Sequence, residues 1–116
     1  MSLFDKDITT SEITCIQEGK KWMTDTITEV VDYFMMCNKL LYKDEREVMN
    51  NIRQKVIMEW IGNPALKKFH INGTGTGVFK SETKGYKYVV VVEVRFDWVD
   101  NPEDYVEYVR VPVIKL

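Results

Sequence analysis

Apolar residues recur at intervals of three, four or seven along the first third of the chain. The stripe comprises Ile13, Ile16, Met23, Ile27, Val30, Phe34, Cys37 and Leu41. This spacing predicts a helix that buries one side, here over about residues 10–41. Lys20 interrupts the stripe, and Gly19 costs about 1 kcal/mol in a helix interior. Gly19 therefore marks either a bend or a break.

A second stripe follows a short turn. Asp44 is a predicted N-cap, and Glu47 three residues later matches a capping box. One face of the predicted helix is apolar and carries Val48, Met49, Ile52, Val56, Ile57, Trp60 and Ile61. Gly62-Asn63-Pro64 is a typical helix end, so the helix is predicted over about residues 45–62. Two helices joined by a short link are expected to pack as a helical hairpin.

After Pro64 the apolar period changes from 3.6 to 2. Strands are predicted at about 68–80, 86–98 and 105–114, separated by turns rich in Gly, Asn, Asp and Pro. Short connections between consecutive strands predict an antiparallel meander. The whole pattern predicts a single α+β domain over residues 1–116, with an N-terminal helical hairpin packed on a C-terminal three-stranded antiparallel meander.

Both faces of the predicted sheet carry valines. One face of the strand at 86–98 is apolar throughout: Tyr86, Tyr88, Val90, Val92, Val94, Phe96 and Trp98. The opposite face also carries valines, whereas a sheet covered on one side only should alternate between apolar and polar residues. This surplus predicts a homodimer, by stacking of sheet faces or through the long first helix. The predicted interface comprises Val89, Val91, Val109, Val111 and Val113. The alternative is a monomer in which the first helix breaks at Gly19 and the N-terminal segment covers the second face.

Three glycines alternate with threonines in the first predicted strand. If the segment is extended, Gly73, Gly75 and Gly77 lie on one face together with Ile71 and Phe79, where a helix, a bulky aromatic side chain or a ligand can approach the backbone. A flexible hairpin or a bulge is the third possibility. A phosphate-binding loop needs a helix directly after its glycines, but here Val78 and the following residues continue the strand. The ligand alternative is a pocket with these glycines as its floor; its predicted walls are Tyr86, Tyr88 and Trp98.

The residues that carry most enzyme chemistry are sparse. His70 is the only histidine, so a histidine triad or a two-histidine metal site within one chain is excluded. Cys15 and Cys37 lie on one predicted helix about 33 Å apart, too far for a disulfide. Both are predicted to be reduced and mostly buried. No catalytic residue, metal ligand or cofactor is predicted, and the protein is expected not to be an enzyme.

Charge and hydropathy narrow the predicted function. A net charge of −2 and a pI of about 5.4 make nucleic acid an unlikely partner. Apolar runs such as Tyr88–Val92 are far shorter than the roughly 20 residues of a membrane span, and the charged start is not expected to carry a secretion signal. We therefore expect a cytoplasmic protein without a membrane partner.

The predicted function is a non-enzymatic protein-interaction or assembly module. It is expected to act as a homodimer and to bind an unknown protein partner, as a small accessory or inhibitory factor of the viral or mobile-element type does. This last expectation follows only from the small size of the chain and its lack of catalytic groups. The alternatives are a small-ligand-binding or enzymatic domain with the pocket described above and, third, a weak nucleic-acid binder.

Overall fold

The computed structural model describes residues 10–38, 44–98 and 106–116. Its helices are α1 (Thr10–Asn38), α2 (Glu45–Trp60) and α3 (Pro64–Lys68). Its strands are β1 (Ile71–Lys80), β2 (Tyr86–Phe96) and β3 (Glu107–Lys115). The strands form an antiparallel sheet in the order β1-β2-β3. The predicted α+β class, with helices first and an antiparallel meander second, is confirmed. The predicted end of the first helix, residues 39–41, and residue 105 of the third strand lie outside the described residues.

Helix α1 is continuous through Gly19, so it does not break there. Gly19 is buried, and a β-carbon at this position would lie 3.3 Å from Cβ of Phe69 and 3.6 Å from Cδ1 of Ile71. The missing side chain therefore lets α1 lie close to the start of β1. The tertiary packing offsets the cost of a glycine inside a helix.

A short helix replaces the predicted start of the first strand. The Asn63 side chain accepts a hydrogen bond from the Ala65 N–H at 2.9 Å, and Pro64 occupies the first turn of α3. Asn followed by Pro is typical of a helix start as well as of a helix end. Asn63-Pro64 was predicted only as the end of the second helix. Because it also starts α3, β1 begins at Ile71 instead of Lys68.

The core lies between the sheet and the two long helices. Helix α1 packs on β3, and α2 packs on β1. The apolar face predicted for β2 is buried, with Tyr88, Val90, Val92, Val94 and Phe96 all at most 1% exposed. We call this side of the sheet the inner face. From α1 and α2, the residues that meet it include Met23, Ile27, Ile52 and Val56, each at most 1% exposed.

The residue that interrupts the α1 stripe connects the helix to the sheet. The Lys20 ammonium donates to Oε1 of Glu107 in β3 at 2.6 Å, while the two side chains remain 37% and 25% exposed. Its long side chain thus leaves the apolar stripe and places the charge at the margin of the core.

Candidate functional site: the outer face and the free edges of the sheet

The side of the sheet opposite the helices carries an apolar surface. We call it the outer face and define it by Phe79, Val89, Val91, Tyr108, Arg110 and Pro112. Phe79 is 56% exposed and Tyr108 51% exposed, while both valines and Pro112 are partly exposed. Helices α1 and α2 both pack on the inner face, so they leave these side chains accessible.

An open cleft runs across the outer face. Its volume is about 510 Å³, and its apolar lining comes from Phe79, Val89, Val91 and Pro112. Arg110 and residues of the β1–β2 turn complete the lining. The Arg110 guanidinium lies 5.9 Å from the centre of the Tyr108 ring. The surface is therefore apolar at its centre and charged at its margin, as protein interfaces commonly are.

The five valines predicted to form an interface do not share one surface. Val89 and Val91 lie on the outer face, as that prediction requires. Val109, Val111 and Val113 are 2–3% exposed, since they pair with the inner residues Val92, Val90 and Tyr88. Their own chain covers these three, so the predicted interface is wrong for them. The register of β3 against β2, which the sequence leaves open, places them on the inner face.

The predicted ligand pocket is not assembled either. Tyr88 is 1% exposed on the inner face, and Trp98 lies beside α1 with its ring 5.5 Å from that of Phe96. Tyr86 is partly exposed at the first position of β2. Gly75 and Gly77 lie across the sheet from Tyr88, on the outer face. Gly75, Gly77, Tyr86, Tyr88 and Trp98 therefore do not converge.

A bulge in β1 explains the position of the glycines. Ile71 pairs with Phe96 but Thr74 pairs with Val94, so β1 contains one extra residue between these two pairs. Ile71 is accordingly buried on the inner face, whereas Gly75 and Gly77 lie on the outer face. The sequence prediction had placed Ile71 on the same face as the glycines, which is wrong because strict alternation does not continue through a bulge.

Side chains of the same chain lie close to the outer-face glycines. A β-carbon on Gly77 would lie 2.8 Å from the Phe79 ring, and one on Gly75 would lie 3.2 Å from Oε2 of Glu93. One edge of the Phe79 ring therefore lies close to the backbone of Gly77. This position brings the aromatic ring next to Val91, which pairs with Gly77.

The free edge of β3 lacks a hydrogen-bond donor at its centre. The Ser81 N–H donates to the Lys87 carbonyl at 3.1 Å, so odd-numbered residues of β2 hydrogen-bond toward β1 and even-numbered ones toward β3. Pro112 pairs with Val89, which places its nitrogen on the open side of β3. Proline has no N–H, so it hinders the addition of another strand here.

A groove follows the free edge of β1. We call it the edge groove; its volume is about 390 Å³, and its lining residues are Glu45, Arg46, Met49, Asn50, Arg53 and Val78. Arg53 Nε donates to the Thr76 carbonyl at 2.8 Å. Glu45 contacts the Lys80 ammonium at 3.4 Å and accepts from the Tyr88 hydroxyl at 3.3 Å. Local sequence patterns do not predict this site, because α2 and β1 meet only in the folded chain.

A third cleft, of about 270 Å³, brings Cys15 and His70 to the same region. Cys15 Sγ donates to the Phe69 carbonyl at 3.4 Å. Burial, followed by the nearby Glu18 and Asp97 carboxylates, raises the pKa of the Cys15 thiol. A raised pKa opposes formation of the thiolate that nucleophilic chemistry requires. This environment favours a structural thiol.

His70, in the same cleft, has a side-chain partner of its own, and the second cysteine lies elsewhere on α1. His70 takes a left-handed φ of 56° at the start of β1, and its Nδ1 lies 3.1 Å from Oδ1 of Asp97. Cys37 is exposed, so the prediction that both cysteines are mostly buried is wrong for Cys37; both are free thiols. Among residues 10–38, 44–98 and 106–116, no group of three His, Cys, Asp or Glu side chains is placed to hold a metal ion.

Comparison with known proteins does not identify the function of these surfaces. No helix in the described part of the chain is long and apolar enough to span a bilayer. Comparison of the chain with protein-family models, with curated proteins and with solved structures found no match.

Proposed function

We propose that this chain is a non-enzymatic protein-interaction module that pairs with a second copy of itself through the outer face. The observation that supports the proposal is the uncovered apolar surface around Val89 and Val91, with the exposed rings of Phe79 and Tyr108 beside it. Contiguous apolar surface of this kind is uncommon on monomers and marks interaction sites.

The size of the outer face fits a modest dimer. With 11 residues in β2, about 3.3 Å per residue and about 4.8 Å between strands, each face covers about 500 Å². Two faces together approach the roughly 1,000 Å² that a specific interface needs. We therefore expect a dissociation constant in the micromolar range.

The free edges favour face-to-face stacking over a continuous sheet. Pro112 removes a donor from the edge of β3, and edge-to-edge pairing of two copies through β1 would bring Arg46 and Arg53 near their own equivalents. Pairing of edge strands needs free donors and acceptors on both chains. A stacked dimer uses side chains only and leaves both edges unchanged.

Sedimentation velocity of the wild type and of Val91→Arg tests the proposal. The substitution places a charge at the centre of the outer face, and partial exposure of Val91 allows the protomer to keep its fold, which circular dichroism checks. We expect the wild type to form dimers at tens to hundreds of micromolar and Val91→Arg to remain monomeric. Met58→Arg is the matched control, because Met58 is an exposed apolar residue on α2, 68% accessible.

Three results count against the outer-face dimer. The first is a wild type that stays monomeric throughout the concentration series. The second is a Val91→Arg variant that associates as the wild type does. The third is loss of association in Met58→Arg, which assigns the contact to the helices instead.

We also propose that the protein is located in the cytoplasm. Two free thiols are typical of a reducing environment, which supports a cytoplasmic location. An accessory or inhibitory role toward another protein requires a second surface, since self-association uses the outer face.

A further inference from the structure

We infer that the edge groove binds an extended, acidic segment of another protein, which adds to the sheet as a fourth strand beside β1. The inference concerns a different surface from the proposed dimer interface. It concerns the kind of partner that this module recognises.

The helix wall of the groove is a single face of α2. Its five residues follow one side of the helix over two turns, at positions i, i+1, i+4, i+5 and i+8: Glu45, Arg46, Met49, Asn50 and Arg53. Val78 of β1 contributes the apolar strand wall. A strand edge facing a helix with alternating apolar and polar contacts is a suitable site for an extended peptide.

The backbone of β1 offers hydrogen bonds along this groove. Thr76, Val78 and Lys80 pair with Val92, Val90 and Tyr88, the residues of β2 that hydrogen-bond toward β3. Their own N–H and C=O groups therefore point away from β2. In the described part of the chain, the single hydrogen bond to this edge is the one from Arg53 to Thr76. The edge at Val78 and Lys80 can accept another strand.

The charges of the groove select an acidic partner. Glu45 already has a cationic neighbour, because the Lys80 ammonium lies 3.4 Å from its carboxylate. Arg46 and Arg53 form no ion pair with any described carboxylate. A second copy docked edge to edge about a two-fold axis brings these arginines near their own equivalents. Like charges disfavour that arrangement, whereas carboxylates on an incoming strand match it.

Arg53 takes part both in binding the acidic side chains of the incoming segment and in pairing its backbone with β1. A carboxylate of the incoming segment competes with the neutral Thr76 carbonyl for the guanidinium, and charge-assisted hydrogen bonds are the stronger ones. Release of the Thr76 carbonyl adds an acceptor to the edge. Binding of the acid and pairing of the backbone therefore reinforce each other.

Fluorescence anisotropy with three labelled peptides of about eight residues, a common strand length, tests the inference. The first alternates valine with glutamate, the second alternates valine with lysine, and the third is the glutamate peptide with alternate amides N-methylated. We expect the glutamate peptide to bind the full chain at least tenfold more tightly than either of the others. Its affinity should fall as the salt concentration rises, because the groove charges are exposed.

A charge-reversal variant makes the test specific to the groove. Both arginines are exposed, so Arg46→Glu combined with Arg53→Glu should fold normally and should prefer the lysine peptide. Arg110→Glu on the outer face is the control and should keep the preference for glutamate. Val91→Arg should bind as the wild type does, so a failure of the dimer proposal leaves this result unaffected.

Any of four outcomes overturns the inference. One is absence of binding at peptide concentrations of about 1 mM, the weak end of measurable affinities. The others are unchanged preference in the charge-reversal variant, reversed preference in Arg110→Glu, and equal binding of the N-methylated peptide. The last result shows attraction between charges without strand addition.

Discussion

At position 19 the absence of a side chain sets the distance between α1 and the start of β1. Helix propensity alone assigns glycine a cost of about 1 kcal/mol, which is why the sequence suggests a bend or a break. In the folded chain the same residue is buried against Phe69 and Ile71. The position is a packing contact within a continuous helix.

Substitution of Gly19 tests this interpretation. Gly19→Val should lower the free energy of unfolding by about 1–3 kcal/mol, because the added methyl groups overpack the contact with Phe69. Gly19→Ala should change it by less than about 1 kcal/mol, since better helix propensity offsets mild crowding. Urea unfolding followed by circular dichroism provides the measurement.

The control for valine in a helix is Gln17→Val, because Gln17 lies on the exposed side of α1. Its effect should be within about 0.5 kcal/mol. Equal stability of Gly19→Val and Gln17→Val contradicts a packing role for the glycine.

At the scale of elements, Lys20 and Glu107 join α1 to β3. The sequence presents Lys20 as a defect in an apolar stripe, and only the folded chain reveals its acidic partner at 2.6 Å. Both side chains are partly screened from water, which strengthens the pair relative to an exposed one. The contact orients the first half of α1 across the sheet.

A double-mutant cycle with Lys20→Met and Glu107→Gln measures this contact. The expected coupling free energy is about 0.5–1 kcal/mol, because each partner keeps some solvent exposure. Lys21 and Asp25 form the matched control on the same helix, with side chains 77% and 59% exposed. Their coupling should be smaller. Equal coupling in both cycles contradicts a role for Lys20 in orienting α1.

The bulge in β1 shows how one residue can change the role of an element. The alternating pattern predicted the strand and its glycines, but the extra residue between Ile71 and Thr74 transfers Gly75 and Gly77 to the outer face. The predicted pocket depended on the register on both sides of this point. Since a bulge is stabilised by contacts with the neighbouring strand, the local sequence offered it only as one of several possibilities and did not give its position.

At the scale of the whole molecule, the sheet has three surfaces with different chemistry. Its inner face is closed by α1 and α2, its outer face is apolar and accessible, and its β1 edge lies beside a basic groove. These surfaces are compatible with simultaneous binding of a second copy and of an acidic segment. The proposed module therefore has one surface for assembly and another for a partner.

Association through the outer face has a thermal consequence. Because a dimer interface stabilises only the folded state, the melting temperature of the wild type should rise with protein concentration. We expect about 2–4 °C for each tenfold increase above the dissociation constant, given the size of the chain. Differential scanning calorimetry of Val91→Arg should show no such rise. A wild-type melting temperature independent of concentration contradicts the dimer.

The sequence by itself determined the two long helices, the three strands, their order and the buried side of β2, because apolar periodicity and turn residues act locally. The N-cap at Asp44 is another local feature that the sequence predicted. In the structure the Arg46 N–H donates to the Asp44 side chain at 2.9 Å. Only the tertiary structure decided which valines are accessible, why Gly19 is glycine and where α2 meets the edge of β1. Those features depend on strand register, on a bulge and on contacts between residues distant in the chain, which a local pattern does not encode.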